Sequence, residues 1–352
     1  MSGQPASLQF FSLVGSLHLP MNRDFSLIDA NLNRAKEGLR VAEDIIRFVL
    51  RNRELFELIK ETRHNLQNAE RAFGVAEGIS ARQEADIGQA KVLDSEYIRH
   101  SIWGLLRANF SRAGEAMRVL EEFGKIYLRD KAHILEEIRY DIYKLEFKTL
   151  TLTPHYWLNL YFSTGVVYPL SDSVDELIWL INHGAKIFQL RDKTSSVQDV
   201  FKKAKYICSY IKKREERLGE GDKVLFIMND YLDIAAALPV AGVHIGQGDG
   251  NIVQARRRLG ALKIIGRSND SMEHIKKSVV EGADYASIGP VFETPIKADL
   301  PAVGLKLVKQ VAEEITIPWL AIGGINKTTI NQVYEAGAKN VAVVRSAREF
   351  FV

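Results

Sequence analysis

The chain has 352 residues, 46% apolar and 26% charged, with a net charge of +3 and one cysteine, Cys208. That composition supports two globular domains and excludes a disordered or collagen-like chain, and no run approaches the roughly 18 apolar residues of a membrane helix. Residues 1–150 balance 22 basic against 22 acidic side chains, which argues against a nucleic-acid surface, and a lone cysteine fits a reducing, cytoplasmic setting with no disulfide or cysteine metal cluster.

Residues 1–25 read as a poorly ordered leader. Phe10–Gly15 resembles a short apolar signal core, but no Lys or Arg precedes Arg23, so the basic segment of a secretory signal is missing. Residues 26–148 contain no proline and step their apolar residues by three and four, as helices do. Asn31, Arg34, Glu37, Arg40 and Glu43 recur as Asn109, Arg112, Glu115, Arg118 and Glu121 at a constant offset of 78, and Thr62-Arg63-His64 is echoed weakly by Ile138-Arg139-Tyr140. This pattern predicts a helical bundle built from a duplicated helix pair. Its apolar stripe is Leu32, Ala35, Leu39, Ala42, Ile46 and Val49 in the first copy. In the second it is Phe110, Ala113, Met117, Leu120 and Tyr127. Asp29 and Asn109 are candidate N-caps. The repeated charges suit ion pairs such as Arg40–Asp44 and Arg118–Glu122. They equally suit a phosphate or a partner facing Arg34, Arg40, Arg112 and Arg118.

Residues 149–156 are Thr-rich, contain Pro154 and read as a linker. From 157 to 352 short apolar runs alternate with amphipathic segments. Strands are predicted at Leu158–Ser163, Ala185–Leu190, Val224–Met228, Gly242–Ile245, Lys263–Ile265, Tyr285–Ile288, Trp319–Ile322 and Asn340–Val344. Helices such as Val174–Asn182 and Leu305–Glu314 lie between them. Eight such units predict an α/β fold, a (βα)8 TIM barrel preceded by the all-α bundle; a doubly wound sheet is the alternative.

Chemistry in a barrel collects where strands end. The second strand ends Gln189-Leu190-Arg191-Asp192-Lys193. Alternation puts Gln189, Arg191 and Lys193 on one face and Leu190 on the other. Two cations at one mouth want an anion. The third strand ends Asn229-Asp230 and the fourth leads to Asp249, so adjacent strands deliver a carboxylate each. Carboxylates beside cations suit Mg²⁺ with a polyphosphate. His244 has no His partner at zinc spacing and reads as a hydrogen-bonded structural residue. Gly246-Gln247-Gly248-Asp249-Gly250 lacks the third glycine of a dinucleotide loop. After the sixth strand comes a Gly/Pro loop with Thr294 and Lys297. After the last two come Gly323-Gly324 and Val344-Arg345, whose bare amides suit a second phosphate.

Residues 157–352 resemble the thiamine phosphate synthase family. The matching stretches are QLRDK (189–193), ND (229–230), GVHIGQGD (242–249), GADYASIGPVFETPIK (282–297), AIGGI (321–325) and AGAKNVAVV (336–344). The resemblance implies a transferase joining a hydroxymethylpyrimidine diphosphate to a thiazole phosphate or its carboxylated form, with release of diphosphate. Gln189, Leu190, Arg191, Asp192, Lys193, Asn229, Ser268 and Lys297 are then expected at the pyrimidine diphosphate. Arg191, Lys193, Ser268 and Lys297 are expected to be catalytic, and Asp230 and Asp249 to hold Mg²⁺. Thr294, Pro295, Ile296, Gly324, Val344 and Arg345 are expected at the thiazole phosphate. Two positions depart from the family: Ile296 replaces a hydroxyl residue and Arg345 a serine. The implied partners are two phosphorylated small molecules, with neither nucleic acid nor membrane; a homo-oligomer is left open. A thiazole tautomerase-like barrel or a non-catalytic phosphorylated-ligand binder are the competing expectations.

Residues 28–147 resemble the N-terminal extension fused to some members of that family, through IDANLNRAKEGLRVAEDIIRF, NFSRAGEAMRVLEEFGK and ADIGQ (85–89). That extension is proposed to be a hydroxymethylpyrimidine phosphate kinase. The residues themselves show no nucleotide loop, so a docking or oligomerisation module is the leading expectation and the kinase the second.

Overall fold

A computed structural model describes residues 23–74, 101–218, 223–295 and 300–351. Nearly all of the expected leader, the ADIGQ stretch, Ile296 and Lys297 lie outside the described residues. The chain divides into two compact units, residues 1–94 with 106–147, and residues 95–105 with 148–352.

The first unit is built on α1 (Arg23–Asp44), α2 (Arg53–Phe73), α3 (Ile102–Tyr127) and α4 (His133–Thr151), the outer ends of α3 and α4 belonging to the second unit. The apolar stripes are buried as expected: Leu32, Ala35, Leu39, Ala42 and Ile46 on α1, and Phe110, Ala113, Met117 and Leu120 on α3. Val49 departs. A wide π-type turn over Ile45–Leu50 resets the helical phase and leaves Val49 42% exposed. Asp29 and Asn109 are not N-caps, because α1 and α3 begin upstream of them. Helix-forming residues continue past both polar side chains, and Asn31 instead bonds back to the Leu27 carbonyl at 2.9 Å. Gly38 allows the close approach of α1 and α3, since a Cβ there would stand 2.6 Å from the Asn109 carbonyl oxygen.

The repeated charges form repeated ion pairs. Glu43 and Glu121 are both buried. Arg63 from α2 pairs with Glu43, and Arg139 from α4 reaches Glu121 at 2.8 Å. Arg40–Asp44 and Arg118–Glu122 pair at 3.6 and 2.9 Å. Each half thus buries one carboxylate beneath an arginine of its own second helix.

In the second unit eight parallel strands close into a barrel in sequence order. They are β1 (Val167–Ser171), β2 (Ile187–Leu190), β3 (Leu225–Asn229), β4 (Gly242–Ile245), β5 (Ile264–Asn269), β6 (Tyr285–Ile288), β7 (Trp319–Ile322) and β8 (Val341–Val343), with β1 pairing β8. The helices are α6 (Val174–Asn182), α7 (Val197–Leu218), α8 (Leu232–Ala237), α9 (Ile252–Leu259), α10 (Met272–Glu281), α11 (Gly304–Glu314) and α12 (Ile330–Glu335). A short 3-10 turn, Ala347–Phe350, follows β8.

The first predicted strand is wrong. Leu158–Ser163 belongs to helix α5 (Pro154–Thr164). Thr153 caps it by accepting from Tyr156 N at 3.4 Å, with Pro154 in the first turn, where its missing N–H costs nothing. The segment read as a linker is therefore the end of α4 followed by this cap. Leu158, Tyr161 and Phe162 join Tyr168, Ile187, Leu225, Ile264 and Tyr285 in one buried cluster, so α5 packs on the interior residues at the strand starts. The true first strand is Val167–Ser171. Outside the sheet, a second cluster that includes Phe188, Phe226 and Leu190 packs the helices on the strands.

Candidate active site

Alternation along the strands turns Gln189, Asn229 and Ser268 inward with Ile187, Ile227 and Ile264. Gln189 and Ser268 join a polar chain across the barrel interior. Gln189 Nε2 donates to the Tyr168 hydroxyl at 3.1 Å, and the Tyr168 and Tyr285 hydroxyls share a 3.1 Å bond. His244 Nδ1 meets Tyr285 at 2.9 Å, and its Nε2 meets Ser268 Oγ at 2.9 Å and Ser287 Oγ at 3.3 Å. Both ring nitrogens of His244 are thus occupied by hydroxyls, as suits a structural histidine. Burial pushes the Tyr168 and Tyr285 hydroxyls well above the usual tyrosine range, so both stay neutral. Gly266 makes room for this chain; a Cβ there would stand 2.5 Å from His244 Nδ1. Among the described residues, Gln189 Oε1 and Asn229 Nδ2 are buried in this interior without a protein partner. Such orphans cost free energy unless a ligand meets them.

Beside these amides the charged groups converge. Lys193 Nζ lies 3.1 Å from Asp230 Oδ2. Asp230 sits in the left-handed region at φ 62°, uncommon outside glycine and found most often in Asn and Asp. Its amide donates to the His244 carbonyl at 2.9 Å, which carries it over the end of β4. Burial pushes the Asp230 carboxyl up; Asp249, within hydrogen-bond reach, adds to this, and Lys193 opposes it. Asp249 Oδ2 accepts from Gly246 N at 2.9 Å. Two carboxyls side by side ask for a cation between them. Among the described residues no group of three or more His, Cys, Asp or Glu side chains could hold a metal ion. The pair fits a hard cation that completes its shell with water and phosphate.

A cavity of 360 Å³ opens at the ends of β6–β8 and β1. It is lined by Arg191, Thr294, Gly323, Gly324, Val344, Arg345 and Ser346, together with Glu293, Asn326 and Glu349. Gly323 and Gly324 have φ of 102° and 68°. A Cβ at Gly324 would stand 2.6 Å from that of Phe292, so only glycine turns this backbone toward the cavity.

Four expected site residues stand apart. Leu190 is fully buried in the cluster between sheet and helices, and its side chain does not reach the mouth. Asp192 is 1% exposed and is taken up by its own loop: Oδ2 accepts from Lys203 Nζ at 2.6 Å, and Oδ1 from the amides of Ser195 and Thr194 at 2.9 and 3.1 Å. Burial works against its charge, yet these donors outweigh it and hold the carboxyl well below the usual carboxylate range. Pro295 is exposed and does not line the cavity. Arg191, expected at the diphosphate, lines the glycine-walled cavity instead. Tyr168, Tyr285, Glu293 and Asn326 were not anticipated. Tyr168 sits on the missed strand, and Tyr285 reads as core from its apolar run.

The family model described as Thiamine monophosphate synthase matches residues 160–347, and one described as ThiD2 family matches residues 26–148. A thiamine-phosphate synthase of Nostoc sp. is 38% identical over 326 residues, 92% of this chain and 89% of its own length. One of Synechocystis sp. is 38% identical over 330 residues, 92% of this chain and 91% of its own. Among solved structures, thiamine phosphate pyrophosphorylase from Pyrococcus furiosus aligns over 53% of this chain and 92% of its own, at 27% identity and a TM-score of 0.47. With a barrel and relatives that extend through both units, the chain belongs to the thiamine monophosphate synthase family, in the form that carries an N-terminal ThiD2-family segment.

Proposed function

We infer that this chain catalyses thiamine phosphate synthesis, joining a hydroxymethylpyrimidine diphosphate to a thiazole phosphate and releasing diphosphate. The observation that carries this reading is the convergence of Lys193, Asp230 and Asp249 beside two orphaned buried amides, next to a separate glycine-walled cavity. A tautomerase-like barrel needs no such charged set.

The orphaned ends of Gln189 and Asn229 match the hydrogen-bonding edge of an aminopyrimidine, one accepting and one donating. Lys193 and Arg191 then lie toward the diphosphate. Asp230 and Asp249 would hold Mg²⁺, which supplies charge stabilisation for the departing diphosphate. As that leaving group gathers negative charge, Lys193 and Arg191 are the cations available to stabilise it. Lys193 is freed for this role when Asp230 turns to a cation. The pyrimidine amine feeds electrons into its ring, so the methylene carbon tolerates positive charge and no protein nucleophile is required. The thiazole nitrogen captures that carbon while its phosphate is held by the Gly323–Gly324 backbone and Arg345. Ser268, fixed by His244, closes the inner wall.

Calorimetric titration tests the two-site assignment. Lys193→Ala is expected to weaken pyrimidine diphosphate binding and spare thiazole phosphate, and Gly324→Ala the reverse. Binding of both substrates with no diphosphate released would make the barrel a binder only. For the helical unit, the ThiD2-family match favours a hydroxymethylpyrimidine phosphate kinase, and the exposed Arg34 and Arg112 are its phosphate candidates. Arg40 and Arg118 are engaged by carboxylates, which favours a docking module. Thiamine phosphate formed from the pyrimidine monophosphate with ATP selects the kinase.

A further inference from the structure

Arg267 sits on β5 between Gly266 and Ser268, and alternation turns its side chain away from the interior that Ser268 faces. It is 5% exposed. Its guanidinium donates to the Gly250 carbonyl at 2.6 Å, and to the Gln247 carbonyl and Oε1 at 3.3 and 3.4 Å. These acceptors flank Asp249 on both sides. Gln247 ties back in turn, its Nε2 donating to the Ser268 carbonyl at 2.7 Å and to Asn269 Oδ1 at 3.3 Å. The segment so held, Gly246–Gly250, contains three glycines, and φ at Gly250 is 99°. A glycine-rich turn loses much conformational freedom when ordered, and these ties, with the bonds between Asp249 and Gly246, hold the carboxylate in place. A guanidinium reaches two carbonyls as a fork; an ammonium on a flexible stem does not hold both in one plane.

We propose that Arg267 is a positioning residue of the metal site, fixing the Gly246–Gly250 loop so that Asp249 meets Asp230 at a distance that binds a divalent cation. This rests on the assignment of Asp230 and Asp249 to the metal. Arg267 touches neither substrate nor metal; it acts through the backbone on either side of Asp249.

The test is Mn²⁺ binding to the full chain in the presence of inorganic diphosphate, read from the loss of the free-ion resonance. Arg267→Met is expected to weaken binding roughly tenfold, in line with loss of an outer-shell partner. Arg267→Lys keeps a buried cation and folds even where removal of the charge is not tolerated; it is expected to bind a few-fold more weakly than wild type and more tightly than Arg267→Met. In turnover, the Mg²⁺ concentration for half-maximal rate rises in both variants while the rate at saturating Mg²⁺ largely recovers, a split that general destabilisation does not produce. Wild-type Mn²⁺ binding by both Arg267 variants, with binding lost in Asp249→Asn, overturns the proposal and leaves the metal assignment standing. Wild-type binding by Asp249→Asn overturns the metal assignment and the proposal with it.

Discussion

Lys193 Nζ and Asp230 Oδ2 stand 3.1 Å apart at the barrel mouth, so the cation proposed for the diphosphate and the carboxylate proposed for the metal neutralise each other. Ligand binding exchanges this one pair for two, carboxylate with metal and ammonium with phosphate. Asp230→Asn keeps the shape and removes the charge. It is expected to lower kcat/KM roughly 10²–10³-fold, the scale for loss of one preorganised electrostatic group, and to raise the Mg²⁺ requirement. Unchanged kinetics would remove Asp230 from the metal site.

Gly324→Ala forces a side chain into a left-handed backbone at φ 68°, 2.6 Å from the Phe292 Cβ. The strain and overlap together cost about 1–3 kcal/mol of barrel stability. Because the displaced amide faces the cavity, KM for thiazole phosphate should rise tenfold or more while KM for pyrimidine diphosphate stays within a factor of about two. Equal changes in both would show general unfolding of the mouth.

Asp192→Asn separates a structural carboxylate from a catalytic one. The folded state holds the Asp192 carboxyl below its usual range, so the stability it contributes is complete above the unfolded value of about 3.9 and fades as pH falls toward the lower folded value. Losing its charge-assisted bonds should cost about 1.5–3 kcal/mol at pH 7. The gap in melting midpoint between variant and wild type should persist to about pH 5 and narrow below about pH 4. A gap independent of pH would mean that shape, not charge, anchors the loop.

In the helical unit, Arg139→Met leaves the buried Glu121 without the arginine that meets it at 2.8 Å. Breaking one side of a buried pair costs about 3–5 kcal/mol, although Arg118 at 2.7 Å offsets part of it. The double variant Arg139→Met, Glu121→Leu is expected to recover most of the loss, and a double variant as unstable as the single one would contradict the ion-pair account.

Much of this architecture is legible in the sequence, for identifiable reasons. The offset of 78 residues exposes the duplicated bundle because the buried Glu43 and Glu121 each keep an arginine three residues earlier, Arg40 and Arg118, while their partners from the second helices, Arg63 and Arg139, recur at 76 and leave only a weak echo. Most of the barrel strands are short apolar runs between amphipathic helices. The first was missed because Leu158, Leu160 and Phe162 alternate as in a strand, while Pro169 disguises the real one. Strand parity put Gln189 on the face opposite the buried Leu190, whereas Asn229 and Ser268 came in only through the family resemblance, Ser268 lying beyond the strand expected at Lys263–Ile265. It did not reveal Asp192, whose role depends on Lys203 returning from α7 to meet it. Arg267 was equally hidden: a charged residue inside a strand reveals its partners only when the next loop folds over it.

The most direct measurement follows thiamine phosphate by mass, with full-length protein, pyrimidine diphosphate and thiazole phosphate, across a Mg²⁺ titration. The account predicts product that rises with Mg²⁺ to saturation, with one diphosphate released for each thiamine phosphate formed. Folded protein that binds both substrates yet forms no thiamine phosphate at any Mg²⁺ concentration would contradict it.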